Sequence, residues 1–144
     1  MNQSGHLVQF FDNDREHIDA VAAFVQERIE CGCTCIVVAR PAIRSGVAAR
    51  LETLGQDVTA LAARYQYIEL DGHDALAGFV EHGRCNRLKF HQMFDTLLRQ
   101  AGSRGEPVCV YGEMGNLLMA QGLVAGAIEC EELGNELCRE HNLT

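Results

Sequence analysis

The sequence predicts an α/β fold of three layers, a mostly parallel sheet with helices on both faces. Three observations point there. Short β-prone runs at Leu7 to Phe11, Thr34 to Ala39, Tyr67 to Leu70 and Pro107 to Tyr111 alternate with longer stretches of helical periodicity. The run TCIVVA is apolar almost without interruption, as in a strand covered on both faces. Each run leads through a loop, starting at Asp12, Arg40, Asp71 or Gly112, into a helix, the order that right-handed βαβ crossovers require.

Leu7 to Phe11 stops at the polar cluster Asp12-Asn13-Asp14, a strand-to-loop signal. Behind it Ile18, Val21, Ala22, Val25 and Ile29 recur at helical spacing, with Asn13 and Glu16 placed as a capping box and Gly32 as the stop. After the strand at Thr34 to Ala39, Pro41 opens a second helix, because a first-turn residue has no need of its N–H. Ile43, Val47, Leu51 and Leu54 mark the apolar side of this helix, and Gly55 lies beyond its end. Asp57 to Arg64 is expected as a short helix, Tyr67 to Leu70 as a strand ending at Asp71-Gly72, and His73 to Glu81 as another helix. Phe90, Met93, Phe94, Leu97, Leu98 and Ala101 keep the clearest amphipathic stripe, closed by Gly102 and Gly105. Pro107 to Tyr111 forms the fourth strand, and helices over about 113–121 and 124–140 complete the chain.

At 144 residues, with no linker, repeat or low-complexity segment, one domain over 1–144 is expected. A composition of 47% apolar and 22% charged residues argues against disorder. The formal net charge of −8, with Lys89 the only lysine and the arginines scattered, opposes direct nucleic-acid binding and binding to anionic membranes. No apolar run reaches the roughly 18 residues of a membrane span, and Met1 to His6 lacks the basic-then-apolar pattern of a signal peptide. Seven cysteines, an odd number set in apolar segments, fit a reducing compartment, so the expected location is the cytoplasm.

A nucleotide-binding loop needs glycines that expose N–H groups and a lysine for the terminal phosphates. Asp12-Asn13-Asp14-Arg15-Glu16 offers neither, and its three acids would repel a triphosphate, at roughly 4 kcal/mol per charge pair about 4 Å apart at a surface-like dielectric. Asp12, Asp14, Asp71 and Glu113 could hold Mg²⁺ or Ca²⁺, but acids at strand ends more often cap helices and make turns. Cys31, Cys33 and Cys35 would share a face if they lay on one strand, yet no fourth ligand follows at zinc spacing. No metal and no cofactor is therefore expected. Hydrolase chemistry has no anchor: there is no Gly-x-Ser-x-Gly elbow, and Cys109 falls mid-strand as a packing residue. Glu113 follows Tyr111-Gly112 at a strand end, where a first-turn acid and a ligand contact use the same geometry. Glu129, Glu131 and Glu132 are expected on a solvated helix face with one member pointing inward.

Along the chain HLVQFFDND at His6 to Asp14, RPAIRSGVAARLETLG at Arg40 to Gly55 and YIELDGHDALAGF at Tyr67 to Phe79 are followed by YGEMGNLL at Tyr111 to Leu118 and AIECEELGNEL at Ala127 to Leu137. In this order and spacing the sequence resembles the MEDS domain, a methanogen and methylotroph sensory domain that is similar to the RecA-like ATPases but lacks their phosphate loop. The resemblance implies a RecA-like fold, no catalysis, and a sensory input module beside histidine kinase, anti-sigma or DNA-binding output domains, suggested to sense small hydrocarbon derivatives. Family positions fall on His6, Phe11, Asp71, Gly112, Glu113, Met114, Glu131 and Asn135. With Asp12, Asp14 and Arg40 from the loops at the strand ends, they make the candidate ligand-contacting set. The chain departs from the family at Ile43, where His is frequent, and at Met119 and Gly134, where Trp is favoured; loss of an indole removes apolar wall and an N–H donor. The family also tends to continue into one more apolar strand, so a cut chain, or a sheet edge open to a second copy, is expected after Asn142-Leu143-Thr144.

Three functions compete. A small, weakly polar molecule entering at the strand ends could bias contacts with a regulatory partner or attached output domain, through differential affinity for two conformations. A scaffold derived from an ATPase could act through its surface alone, with an exposed apolar patch as its mark. An active nucleotide hydrolase with an unusual loop would bind ATP and Mg²⁺ in a calorimeter.

Overall fold

The computed structural model describes residues 13–141 and Leu143; the strand expected at Leu7 to Phe11 lies outside the described residues. In chain order the elements are α1 (Asp14–Glu30), β1 (Thr34–Ala39), α2 (Pro41–Thr53), α3 (Val58–Ala63), β2 (Tyr67–Asp71), α4 (Gly72–Phe79), β3 (Val80–Glu81), β4 (Arg84–Cys85), α5 (Arg87–Ala101), β5 (Val108–Gly112), α6 (Met114–Ala120) and α7 (Val124–His141). A 3-10 turn, Gly102–Arg104, ends α5.

The three-layer α/β expectation holds. β1 is central in a parallel sheet ordered β2-β1-β5, with Cys35 opposite both Tyr67 and Cys109. Every residue of β1 is buried, and because side chains alternate along a strand it feeds two cores. Cys35, Val37 and Ala39 pack with the buried faces of α1, α2 and α3. Ile36 and Val38 pack on the other side with α4, α5, α6 and α7, where Phe79, Phe90 and Phe94 form an aromatic cluster with ring centroids 4.7–6.3 Å apart. Each fully buried side chain of this size contributes about 1.5–3 kcal/mol.

Local signals position the strand ends. Asn13 caps α1 by accepting from the Glu16 N–H at 2.9 Å, Pro41 stands in the first turn of α2, and the Asp71 carboxylate caps α4 through the Asp74 N–H at 3.0 Å. Three expectations need correction. Strand β1 begins only at Thr34, so Cys31 ends α1 as an exposed cap and the three cysteines do not line a strand face; Cys35 faces Cys109 instead. Leu54 caps the end of α2 and is exposed. The helix expected over His73 to Glu81 stops at Phe79, because His82 and Gly83, at φ 52° and 76°, form a two-residue left-handed turn that folds β3 back antiparallel onto β4.

Candidate functional site

The carboxyl ends of β1 and β5 bring a charged group together. Glu113 follows β5, and its N–H donates to the Val38 carbonyl of β1 at 3.0 Å, which fixes it against the sheet. Arg40 follows β1 and spans two acids: Nε donates to Glu113 Oε1 at 2.6 Å and Nη2 to Asp14 Oδ1 at 3.1 Å. The side chain of Glu113 is 2% exposed, against 36% for Arg40 and 58% for Asp14. The guanidinium thus links a buried carboxylate to one in solvent. The Glu113 bond, against the opposing effect of burial, holds Arg40 above the ordinary arginine pKa, and Asp14 adds to it. The second oxygen, Glu113 Oε2, is buried and has no hydrogen-bond partner among the described residues.

Beside this group His17 of α1 and Tyr111 of β5 share a hydrogen bond through Nε2 and the phenol oxygen, with their rings edge to face at 5.7 Å. Burial pushes the His17 pKa down, although Glu113 pulls the other way. Burial also pushes Tyr111 up, reinforced by the Glu113 charge. Both residues are therefore neutral near pH 7, and both lie within electrostatic reach of Glu113 while carrying groups that can donate or accept.

At the neighbouring strand end Asp71 has a different partner. Arg44, one turn after Arg40 on α2, donates from Nη2 to Asp71 Oδ2 at 3.0 Å and from Nε to the Ala39 carbonyl at 3.0 Å, with Glu69 4.0 Å away. The Asp74 N–H, with that of His73 and Arg44 adding to it, keeps the Asp71 pKa below the usual carboxylate range. Asp14, Asp71 and Glu113 are thus each matched to an arginine. Among the described residues Asp14, Asp71 and Glu113 do not gather around a point that one ion could occupy.

Of the sequence candidates, then, Asp14, Arg40 and Glu113 form one cluster, and Asp71 stands at the adjacent strand end. Met114 is buried at the start of α6. Glu131 is the inward member of its acidic run: a Cβ built on Gly115 of α6 would come within 2.3 Å of its Oε1, so a larger residue there would push the carboxylate aside. Asn135 lies one turn further along α7, exposed. His6, Phe11 and Asp12 lie outside the described residues. The sequence reading missed His17, Tyr111 and Arg44. His17 lies four residues before Val21 on the buried stripe of α1, Tyr111 shares the face of Cys109, and Arg44 repeats Arg40 at helical spacing, so each carried a positional signal.

Of the family departures, Ile43 is fully buried among the α1–α3 core residues, where an imidazole would need a partner, and Met119 is an exposed residue of α6. Comparison with curated proteins gave no match, and comparison with solved structures gave none. The family model described as MEDS: MEthanogen/methylotroph, DcmR Sensory domain matches residues 5–144. With nearly all of the sequence under that match, the chain belongs to the MEDS family of sensory domains.

Proposed function

We infer that this chain is a non-catalytic input module, RecA-like without a phosphate loop, which binds a small organic molecule of weak polarity at the carboxyl edge of its sheet. Family membership supplies the sensing role; the site supplies the chemistry. The observation that carries the reading is Glu113, whose buried carboxylate has one oxygen held by Arg40 and one without a partner among the described residues. A buried acceptor left open costs about 1–3 kcal/mol, so a ligand offering an O–H or N–H there recovers free energy that a saturated hydrocarbon could not. His6, Phe11, Asp12, Asp14, Asp71, Met114, Glu131 and Asn135 are assigned as further contacts or as parts of the switch. The output is an attached or separate regulatory partner of the histidine kinase, anti-sigma or transcription-regulator kind, in the cytoplasm. No described helix is long and apolar enough to cross a membrane.

The test is a thermal-shift and native-mass screen of short alcohols, amides and halogenated hydrocarbons against the wild type and Glu113→Gln. Protic ligands should stabilise the wild type, and the substitution should lower their affinity by about tenfold, the value of one hydrogen bond to a charged group. Equal binding to both proteins would overturn the assignment of Glu113. A second reading, a scaffold with no small ligand, is favoured by the exposed Val124 and Ile128, one turn apart on α7. It predicts no hit in the screen. A calorimetric titration with ATP and Mg²⁺ covers the nucleotide hydrolase, and heat at micromolar affinity would replace both readings.

A further inference from the structure

Away from the sheet edge, the seam between α5 and α7 gathers imidazoles and carboxylates. His91 and Asp95 stand one helical turn apart on α5 and face the last turn of α7, where Glu140 and His141 are adjacent. His91 Nδ1 is 3.6 Å from Glu140 Oε2, His141 Nε2 is 2.7 Å from Asp95 Oδ1, and ligand atoms of His91, Asp95 and Glu140 all lie within 4.8 Å of one another. We propose that this seam binds one divalent cation of the zinc class, with His91, Asp95, Glu140 and His141 as its ligands.

Four arguments support it. Ligand atoms of a tetrahedral zinc site, each about 2.0–2.2 Å from the metal, stand about 3.4 Å apart, so side-chain rotation would close the spacing of His91, Asp95 and Glu140, and His141 adjoins them through Asp95. Two neutral imidazoles and two carboxylates balance the charge of the ion. The mixed nitrogen and oxygen set suits zinc better than Mg²⁺ or Ca²⁺, which take oxygen ligands. Finally, His91 is already oriented: its Nε2 lies 3.4 Å from Glu136 Oε2, and Arg87 holds that carboxylate at 2.7 Å, leaving Nδ1 toward Glu140. A carboxylate behind a metal-binding imidazole fixes its ring and tautomer in this way. The ligands come from segments more than forty positions apart in sequence, so no local motif announces them. The bound ion would tie α7, which carries Glu131 and Asn135, to α5.

The experiment is calorimetric titration of the full chain, thiols reduced, with zinc chloride, together with the optical spectrum of the Co²⁺ complex. One equivalent should bind at micromolar affinity. Cobalt should give the visible bands of a tetrahedral nitrogen-and-oxygen site, without sulfur charge transfer in the near ultraviolet. The double variant Asp95→Asn, Glu140→Gln should keep the wild-type circular dichroism and lose at least tenfold in affinity. Glu140→Gln alone, at an exposed position, should weaken binding in the same direction. The proposal is overturned by wild-type protein that shows no saturable zinc binding, by unchanged affinity in the variants, or by a sulfur charge-transfer band that places the ion on cysteines.

Discussion

Arg40 holds two carboxylates of unlike burial, and the consequence of removing it is unequal for them. Asp14 would return to water, whereas Glu113 would be left charged in a buried setting. Loss of one partner of a buried pair costs about 3–5 kcal/mol, and the partial exposure of Arg40 puts Arg40→Ala at the low end, about 3 kcal/mol, measured by urea unfolding. The double variant Arg40→Ala, Glu113→Gln should recover part of that loss, because the orphaned charge is gone; a double variant no more stable than the single would show that Glu113 is not strained by the loss. His17 gives a pH test. Its folded pKa is lowered from 6.5, so below that value the unfolded chain binds more protons than the folded one. The stabilisation is complete above pH 6.5 and is lost as pH falls toward the folded value. Equilibrium unfolding of His17→Gln should show a smaller fall in stability over this acidic window than the wild type. At this scale the sequence disclosed the acids and Arg40, which sit where strands end. It did not disclose which acid each arginine holds, since that depends on sheet order and on the angle at which α1 and α2 cross.

Elements were more legible than contacts. The buried strand β1, the proline-started α2 and the Phe-rich α5 each express one dominant physical signal, continuous apolarity, a fixed φ or a helical stripe, and each lies where that signal puts it. The β3–β4 hairpin escaped because two-residue strands are too short to establish a period of two, while the apolar residues of α4 continue into Val80. Its His82-Gly83 turn was the available clue. The hairpin has a mechanical role, because a Cβ on Gly126 of α7 would stand 2.3 Å from the Gly83 carbonyl oxygen. Gly126→Ala should therefore cost about 1–3 kcal/mol, since backbone must move to admit the methyl group. Gly78→Ala is the control: its new Cβ meets only the flexible end of Met93, and the gain from removing a helical glycine, about 0.5–1 kcal/mol, offsets the shift. Thermal unfolding of the pair should separate them clearly, and equal losses would refute the packing of α7 on the turn.

For the molecule as a whole, β1 is the shared boundary of two cores, and neither layer of helices can lose its packing without exposing a face of that strand. Damage on one side should be felt on the other. Phe79→Ala, in the α4–α7 layer, should cost about 3–5 kcal/mol and lower the unfolding midpoint equally by far-ultraviolet circular dichroism and by amide exchange in α1, on the opposite face. Separate midpoints would show two independent halves. The three tyrosines, in a chain without tryptophan, are distributed usefully across this architecture: Tyr65 is exposed, Tyr67 is sealed within the α1–α3 core, and Tyr111 lies beside Glu113, bonded to His17. Two of them would stay constant while the third responds to occupancy of the sheet edge. The molecule thus carries its own optical gauge, and Tyr65→Phe with Tyr67→Phe would leave a single emitter to follow ligands without any attached dye.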